Sequence, residues 1–357
     1  MNLDKLISWL NNDGTEAALF TSEVSKRYLT DFGSEDGTLI VTKKGGYFII
    51  DARYFEHTEQ QVTDPLCKVI LQKDLYAQIG EIFTNDGVSR VYVEDEFMTV
   101  ATLSEYKRKF SHITFDTSNR LSDYMRNMRI IKSDKEVEYI TKAQRIAEAA
   151  FTKLLSNMRA GMTEKHIAAL LEYIMIDLGS DGVSFATIAA SGVNSACPHA
   201  VPTDKQVQDG DFLTLDFGAT YKGYHSDMTR TVVFGKPTDE MKNIYNAVWG
   251  ANTDAIKAVR ADISCKLVDN VARSTLDAWG YEEYFTHGLG HGVGLEIHEA
   301  PNVNARSGVM LKEGMIITIE PGVYIPGKYG VRIEDMCVVT KEGCKIITDT
   351  PKTLIYI

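Results

Sequence analysis

The spacing of apolar residues changes along this chain, and the changes mark out its elements. From Leu3 to Leu10 apolar positions return at helical spacing and predict an amphipathic helix. Ala17 to Thr21, Thr38 to Thr42 and Tyr47 to Asp51 are short apolar runs bounded by Gly, Asp and Lys, the pattern of strands. Lys44-Gly45-Gly46 is a hairpin-like turn between the last two, and Val91 to Val93 reads as a further strand. The first third is therefore read as alternating helix and strand. Ser133, with Glu136 three residues on, has the form of a capping box. Val137, Ile140, Ile146, Phe151 and Leu154 continue it as a helical stripe, which Gly161 is expected to stop. Thr163 opens a second helix with Ile167, Leu170, Leu171 and Ile174 on its apolar side. Thr238 to Trp249 and Lys266 to Trp279 predict two more. A domain boundary is placed near residue 125, giving domains 1–125 and 126–357.

Two domains also suit the length, because 357 residues exceed what one hydrophobic core usually serves. With 44% apolar and 24% charged residues the chain can bury a core without staples. The formal net charge of −11, with Lys107-Arg108-Lys109 as a short solvated basic stretch, argues against nucleic acid and anionic membranes as partners. Five scattered cysteines without C-x-x-C spacing argue against a disulfide framework or a thiolate zinc site. No signal-peptide pattern opens the chain and no run is long enough to span a membrane, so a cytoplasmic enzyme is expected.

The chemistry lies in four acids and a glycine-rich histidine run. Leu213, Leu215 and Phe217 alternate on one strand face, so Asp216 points to the other. Gly218 to Gly223 can turn the chain, and Tyr224 to Phe234 returns as a strand, which would set Asp227 roughly opposite Asp216. Gly314 to Glu320 is a second apolar strand ending in a carboxylate, broken by Pro321-Gly322. Gly330 to Asp335 then opens a further strand, with Arg332 and Glu334 on a shared face. One such acid is usually a turn or surface residue. Four in apolar strands repel one another and need compensating cations. Residues Thr286 to Glu299 hold three of the eight histidines, His287, His291 and His298, among glycines that allow close approach. The spacing fits neither a dinucleotide fingerprint nor H-E-x-x-H.

In order and spacing, Asp216, Asp227, His291, Glu320 and Glu334 resemble the ligands of the "pita-bread" metallopeptidases. That group includes methionine aminopeptidase, Xaa-Pro aminopeptidase (aminopeptidase P) and Xaa-Pro dipeptidase (prolidase). The stretches DFGATYKGYHSDMTRT, HGLGHGVGLEIHE, TIEPGVY and GVRIED carry the match, from about residue 130 to the C-terminus. The first third is similar to the smaller creatinase-type domain of the proline-specific members. The resemblance implies an α+β fold: a pita-bread domain, its antiparallel sheet covered by helices, after a creatinase-like α/β domain.

It also implies roles. Asp216 would bind one metal, Asp227 and Glu334 would bridge two, and His291 with Glu320 would complete the other site. Two divalent cations are expected, Mn²⁺ first, with Co²⁺ or Zn²⁺ as alternatives. Glu320 would double as general acid/base, His298 would donate to the developing oxyanion, and His199 and His287 would sit around substrate. Arg332 would order a nearby acid.

The N-terminal extension and Arg332 favour the proline-specific branch over methionine aminopeptidase. The expected partners are short peptides with proline second, and the family implies a homodimer. Prolidases often carry an Arg shortly after the His298 position, and this chain has Asn302 there, with Arg306 as a substitute or a solvated loop residue. The main reading is therefore Xaa-Pro aminopeptidase, with prolidase as the alternative. A metal-free creatinase-like enzyme or binding module ranks lower, because all five ligands are present.

Overall fold

The computed structural model describes residues 2–357 and divides into two compact units, Met1–Met128 and Arg129–Ile357. The first alternates helices α1 (Asn2–Asp13), α2 (Glu23–Thr30), α3 (Phe55–Gln61), α4 (Leu75–Asp86), α5 (Val100–Lys109) and α6 (Arg120–Ile130) with strands. The strands β1 (Ala17–Phe20), β2 (Thr38–Thr42), β3 (Gly46–Ile50), β4 (Cys67–Leu71), β5 (Arg90–Val93) and β6 (Thr114–Asp116) form one mixed sheet in the order β4-β3-β2-β1-β5-β6. β1, β2 and β3 are joined antiparallel, while β4, β5 and β6 enter parallel through helical crossovers. The predicted hairpin between β2 and β3 is present. Leu19, Ile40, Ile49, Phe83 and Val91 form the centre of its core.

The second unit opens on α7 (Asp134–Leu155), and both halves of the Ser133–Glu136 capping box are made. α7 ends at Leu155, before Gly161, which instead takes a positive φ in the loop to α8 (Glu164–Asp177). Thr163 caps α8 as expected. Strands β7 (Gly182–Val183), β8 (Ile188–Ser191), β9 (Phe212–Phe217), β10 (Ala219–Tyr221), β11 (Tyr224–His225) and β12 (Met228–Val233) follow. α9 (Asp239–Ala258), capped by Thr238, and α10 (Cys265–Ala278) come next. β13 (Gly290–Gly292), β14 (Glu299–Val303), β15 (Ile316–Ile319), β16 (Gly322–Ile325), β17 (Tyr329–Arg332), β18 (Asp335–Val339), β19 (Cys344–Ile346) and β20 (Ile355–Tyr356) complete the chain.

Two packed layers hold this unit together. Phe151, Leu171 and Ile174 of α7 and α8 pack on Leu213, Leu215, Phe217 and Val232 of β9 and β12. Ile244, Val248, Val268 and Leu276 of α9 and α10 pack on Ile317, Ile319, Val331 and Cys337. Each helix pair thus covers one antiparallel set, β8-β9-β12 or β13-β15-β18, in the expected pita-bread arrangement. No helix of the described residues is long and apolar enough to cross a membrane.

Candidate metal centre

The acids gather because strand ends converge on one cavity. β9 pairs with β12 so that Asp216 faces Thr229, not Asp227. Asp227 lies one residue before β12, after the small β10–β11 ribbon that replaces the simple turn expected there. On the other set, Ile319 of β15 pairs with Asp335 of β18, which leaves Glu320 and Glu334 just beyond the paired ends. The expected single strand from Gly330 to Asp335 is two strands: Arg332 ends β17, Glu334 lies in the break, and β18 starts at Asp335. Behind the break, buried Arg230 donates to the Glu334 carbonyl at 2.6 Å and pairs with Asp335 at 2.8 Å. The Glu334 N–H donates to Thr229 O at 3.1 Å, so the Glu334 backbone is fixed from both sides.

Asp216, Asp227, His291, Glu320 and Glu334 all line one cavity of about 480 Å³, together with His199, His287, His298 and Arg332. One ligand atom from each of Asp227, His291 and Glu334 lies within 4.8 Å of the other two. His291 Nε2 is 3.6 Å from Asp227 Oδ2 and 3.4 Å from Glu320 Oε1. Its Nδ1 faces the Gly292 carbonyl at 3.0 Å, which can only accept, so Nδ1 carries the proton and Nε2 presents a lone pair. Burial lowers the His291 pKa to about 4 and keeps the ring neutral.

The carboxylates are short of partners. Asp227 and Glu334 are 4% and 1% exposed. Burial, then neighbouring carboxylates, pushes both well above the ordinary acid range. Burial likewise pushes Glu320 up to about 8 against the pull of Arg332. Asp216 Oδ1 and Glu334 Oε1 are buried oxygens to which no described group donates a hydrogen bond. Arg332 is the only Arg or Lys among the residues lining the cavity, set against four carboxylates. An oxygen-rich pocket with spare lone pairs, one neutral imidazole and uncompensated negative charge fits hard or borderline divalent cations.

Arg332 organises the rest. Its Nη2 donates to Asp216 Oδ2 at 2.7 Å, its Nε to Thr229 Oγ1 at 3.0 Å, and its Nη1 to Tyr324 at 2.7 Å and Pro198 O at 3.2 Å. Thr229 passes this on by donating to Glu334 Oε2 at 2.8 Å. Tyr324, which the sequence reading missed, stands 2.9 Å from His287 Nε2. His287 Nδ1 must donate to the Gly288 carbonyl at 2.8 Å, so Nε2 accepts from the Tyr324 hydroxyl. Both nitrogens are then engaged, and burial lowers the His287 pKa to about 4. His287 lines the cavity as a fixed neutral ring, with no nitrogen left for substrate. His298 and His199 are the solvent-facing imidazoles there, and the His298 ring stands edge-on to His291 at 4.4 Å. Asn302 and Asn304 reach the wall of the cavity, whereas Arg306 is exposed and does not.

Residues 138–341 match the model of "Metallopeptidase family M24", and residues 2–131 match "Creatinase/Prolidase N-terminal domain". The chain belongs to the M24 metallopeptidases. Among relatives of this M24 enzyme, a Pyrococcus horikoshii protein named Xaa-Pro dipeptidase is 36% identical, the match covering 98% of this chain and 97% of that one. A solved Xaa-Pro dipeptidase from Bacillus anthracis is 38% identical with a TM-score of 0.93, covering 99% of both chains. A solved X-Pro aminopeptidase from Thermotoga maritima is 35% identical with a TM-score of 0.93, covering 100% of both. The expected proline-specific branch and two-part architecture are those of these proteins. M24 members bind divalent metals, in keeping with the carboxylate–imidazole cluster.

Proposed function

We propose that this M24 enzyme is an Xaa-Pro dipeptidase, acting on short peptides with proline second. The buried, under-partnered carboxylate cluster in one cavity carries the hydrolase part of the reading. Whole-length relatives in which dipeptidase names predominate support the substrate class, and shift the balance from the aminopeptidase expected at first. Asn302 and the T. maritima relative favour the second reading, Xaa-Pro aminopeptidase, because Arg332 is the only Arg or Lys lining the cavity and four of its five N–H groups are committed.

In this reading Asp216, Asp227, His291, Glu320 and Glu334 hold two divalent cations, with Mn²⁺ preferred and Co²⁺ or Zn²⁺ as alternatives. When bound, such ions lower the pKa of water and polarise a carbonyl. The chain's own groups do the rest. Glu320, 3.4 Å from His291 and steadied by the Thr318 hydroxyl at 3.2 Å, holds and moves the proton between water and the leaving amine. His298 donates to the oxygen that gains charge, and His199 orients the peptide from across the cavity. Arg332, through Asp216 and Thr229, keeps two carboxylates in place. Tyr324 and His287 form the wall behind that guanidinium. We extend the reading to a cytoplasmic homodimer, to be checked by mass in solution.

The deciding experiment compares Ala-Pro with Ala-Pro-Ala on Mn²⁺-loaded protein. Hydrolysis of the dipeptide alone supports the dipeptidase. Cleavage of the tripeptide at comparable kcat/KM transfers the assignment to aminopeptidase, and cleavage of neither removes both.

A further inference from the structure

One buried carboxylate outside the cavity is bonded to a segment that enters it. Glu164, the first residue of α8, is 0% exposed. Its Oε1 accepts from the Ser191 N–H at 2.7 Å, the Ser191 hydroxyl at 2.8 Å and Asn194 Nδ2 at 3.0 Å. Its Oε2 accepts from the Thr203 N–H at 3.0 Å, the Thr203 hydroxyl at 2.6 Å and Asn194 Nδ2 at 3.0 Å. The donors come from both ends of the segment Ser191–Thr203 and from its 3₁₀ turn. Those bonds outweigh burial and hold the Glu164 carboxyl below its ordinary range.

The clamped segment is functional at its middle. Pro198 and His199 line the cavity, and the Pro198 carbonyl accepts from Arg332 Nη1 at 3.2 Å. Ser195 accepts from the Gly330 N–H at 2.9 Å, which ties the segment to the strand bearing Arg332. His199 itself is exposed. Its placement therefore depends on the anchors of the segment, which are the two ends on Glu164 and the Ser195 and Pro198 contacts between them.

We infer that Glu164 is a positioning residue that sets His199 in the cavity by clamping both ends of the Ser191–Thr203 segment. The inference rests on His199 facing substrate. Glutamine is nearly isosteric but turns an NH₂ toward N–H and O–H donors, so Glu164→Gln opens the clamp without removing volume. A shift of about 1 Å at a substrate-positioning group lowers kcat/KM by about 10- to 100-fold. That loss is expected on Ala-Pro, with Mn²⁺ content unchanged.

The test is a double-mutant cycle of Glu164→Gln with His199→Ala on Mn²⁺-loaded protein. The double variant is expected to be no worse than His199→Ala alone, because a misplaced and a missing imidazole are equivalent. Losses that multiply would overturn the Glu164 assignment. Full activity in His199→Ala would instead overturn the reading of His199, and the inference with it. If Glu164→Gln does not fold, Asn194→Ala with Thr203→Val strips side-chain donors from the segment and enters the same cycle. In either variant, hydrogen exchange should quicken at the non-proline amides between 192 and 201 and not in β9 or β12. Unchanged exchange there would also refute the clamp.

Discussion

The two units bury charge in different ways. In the first, Lys26 is 0% exposed, and its ammonium donates to the carbonyls of Glu35, Asp36 and Gly37 at 3.4, 3.1 and 3.1 Å. Glu94, 2% exposed, accepts from the Thr21 N–H at 2.8 Å and from the N–H and hydroxyl of Ser22 at 3.0 and 2.6 Å. In the second unit, Asp227 and Glu334 are as deeply buried, yet they face other carboxylates, and Glu334 Oε1 has no donor. A buried charge with hydrogen-bond partners on each of its polar atoms is a tie between chain segments. A buried carboxylate with an unpartnered oxygen and like-signed neighbours suits a cation instead. Glu164 shows that the second unit uses ties as well, so the contrast lies between sites and not merely between domains.

The largest effect expected from this contrast is at Asp227. Asp227→Asn should lower turnover by about a thousandfold or more in the metal-loaded enzyme. The same change should leave the metal-free protein as stable as before, or more so, by thermal denaturation. Activity within a few-fold of the parent would remove Asp227 from the centre. Next, His298→Ala should lower kcat about a hundredfold, as loss of a donor to developing charge does, with metal content intact. Metal loss in that variant would make it part of the ligand shell.

The metal-free protein should also respond to pH in a defined direction. Asp227, Glu320 and Glu334 have acid groups raised by folding, Glu320 to about 8. Their stabilising contribution is full below the ordinary carboxylate range and is lost as pH rises through the folded values. His287 and His291, lowered by burial to about 4, act in the opposite sense below about pH 6.5. Tm should therefore fall by about 5 °C from about pH 6.5 to pH 8, where the acids act alone, and Mn²⁺ should abolish the fall. A Tm that rises over that window without metal would contradict the crowding of acids. The smallest effect is at Glu94: Glu94→Gln should cost about 1–2 kcal/mol in denaturant unfolding and leave kcat unchanged. A neutral result would show that a fully bonded carboxylate is no stronger a tie than its amide.

The second unit's helices and its acid cluster were legible in the sequence. Local signals fixed the helix starts at Ser133, Thr163 and Thr238, because a cap depends only on residues three apart. Strand alternation correctly aimed Asp216 away from the core face. The partners were not legible. Register sets Thr229, and not Asp227, opposite Asp216, and register depends on the β10–β11 ribbon that the turn signal concealed. The break after Arg332 was hidden inside an apolar run, since β17 pairs with β16 and β18 with β15. His287 looked like a substrate contact because its tautomer follows from Gly288 and Tyr324, which only the fold brings to its two nitrogens. Glu164 gave no signal at all, because its donors come from residues 27 to 39 positions away.

The central claim is that the cleft's spare lone pairs are a metal site for peptide hydrolysis. Its most direct test is titration of metal-free protein with Mn²⁺, followed by assay on Ala-Pro. The account predicts about two equivalents bound per chain, with hydrolysis appearing as the sites fill. Binding of less than one equivalent, with no Xaa-Pro cleavage, would contradict it.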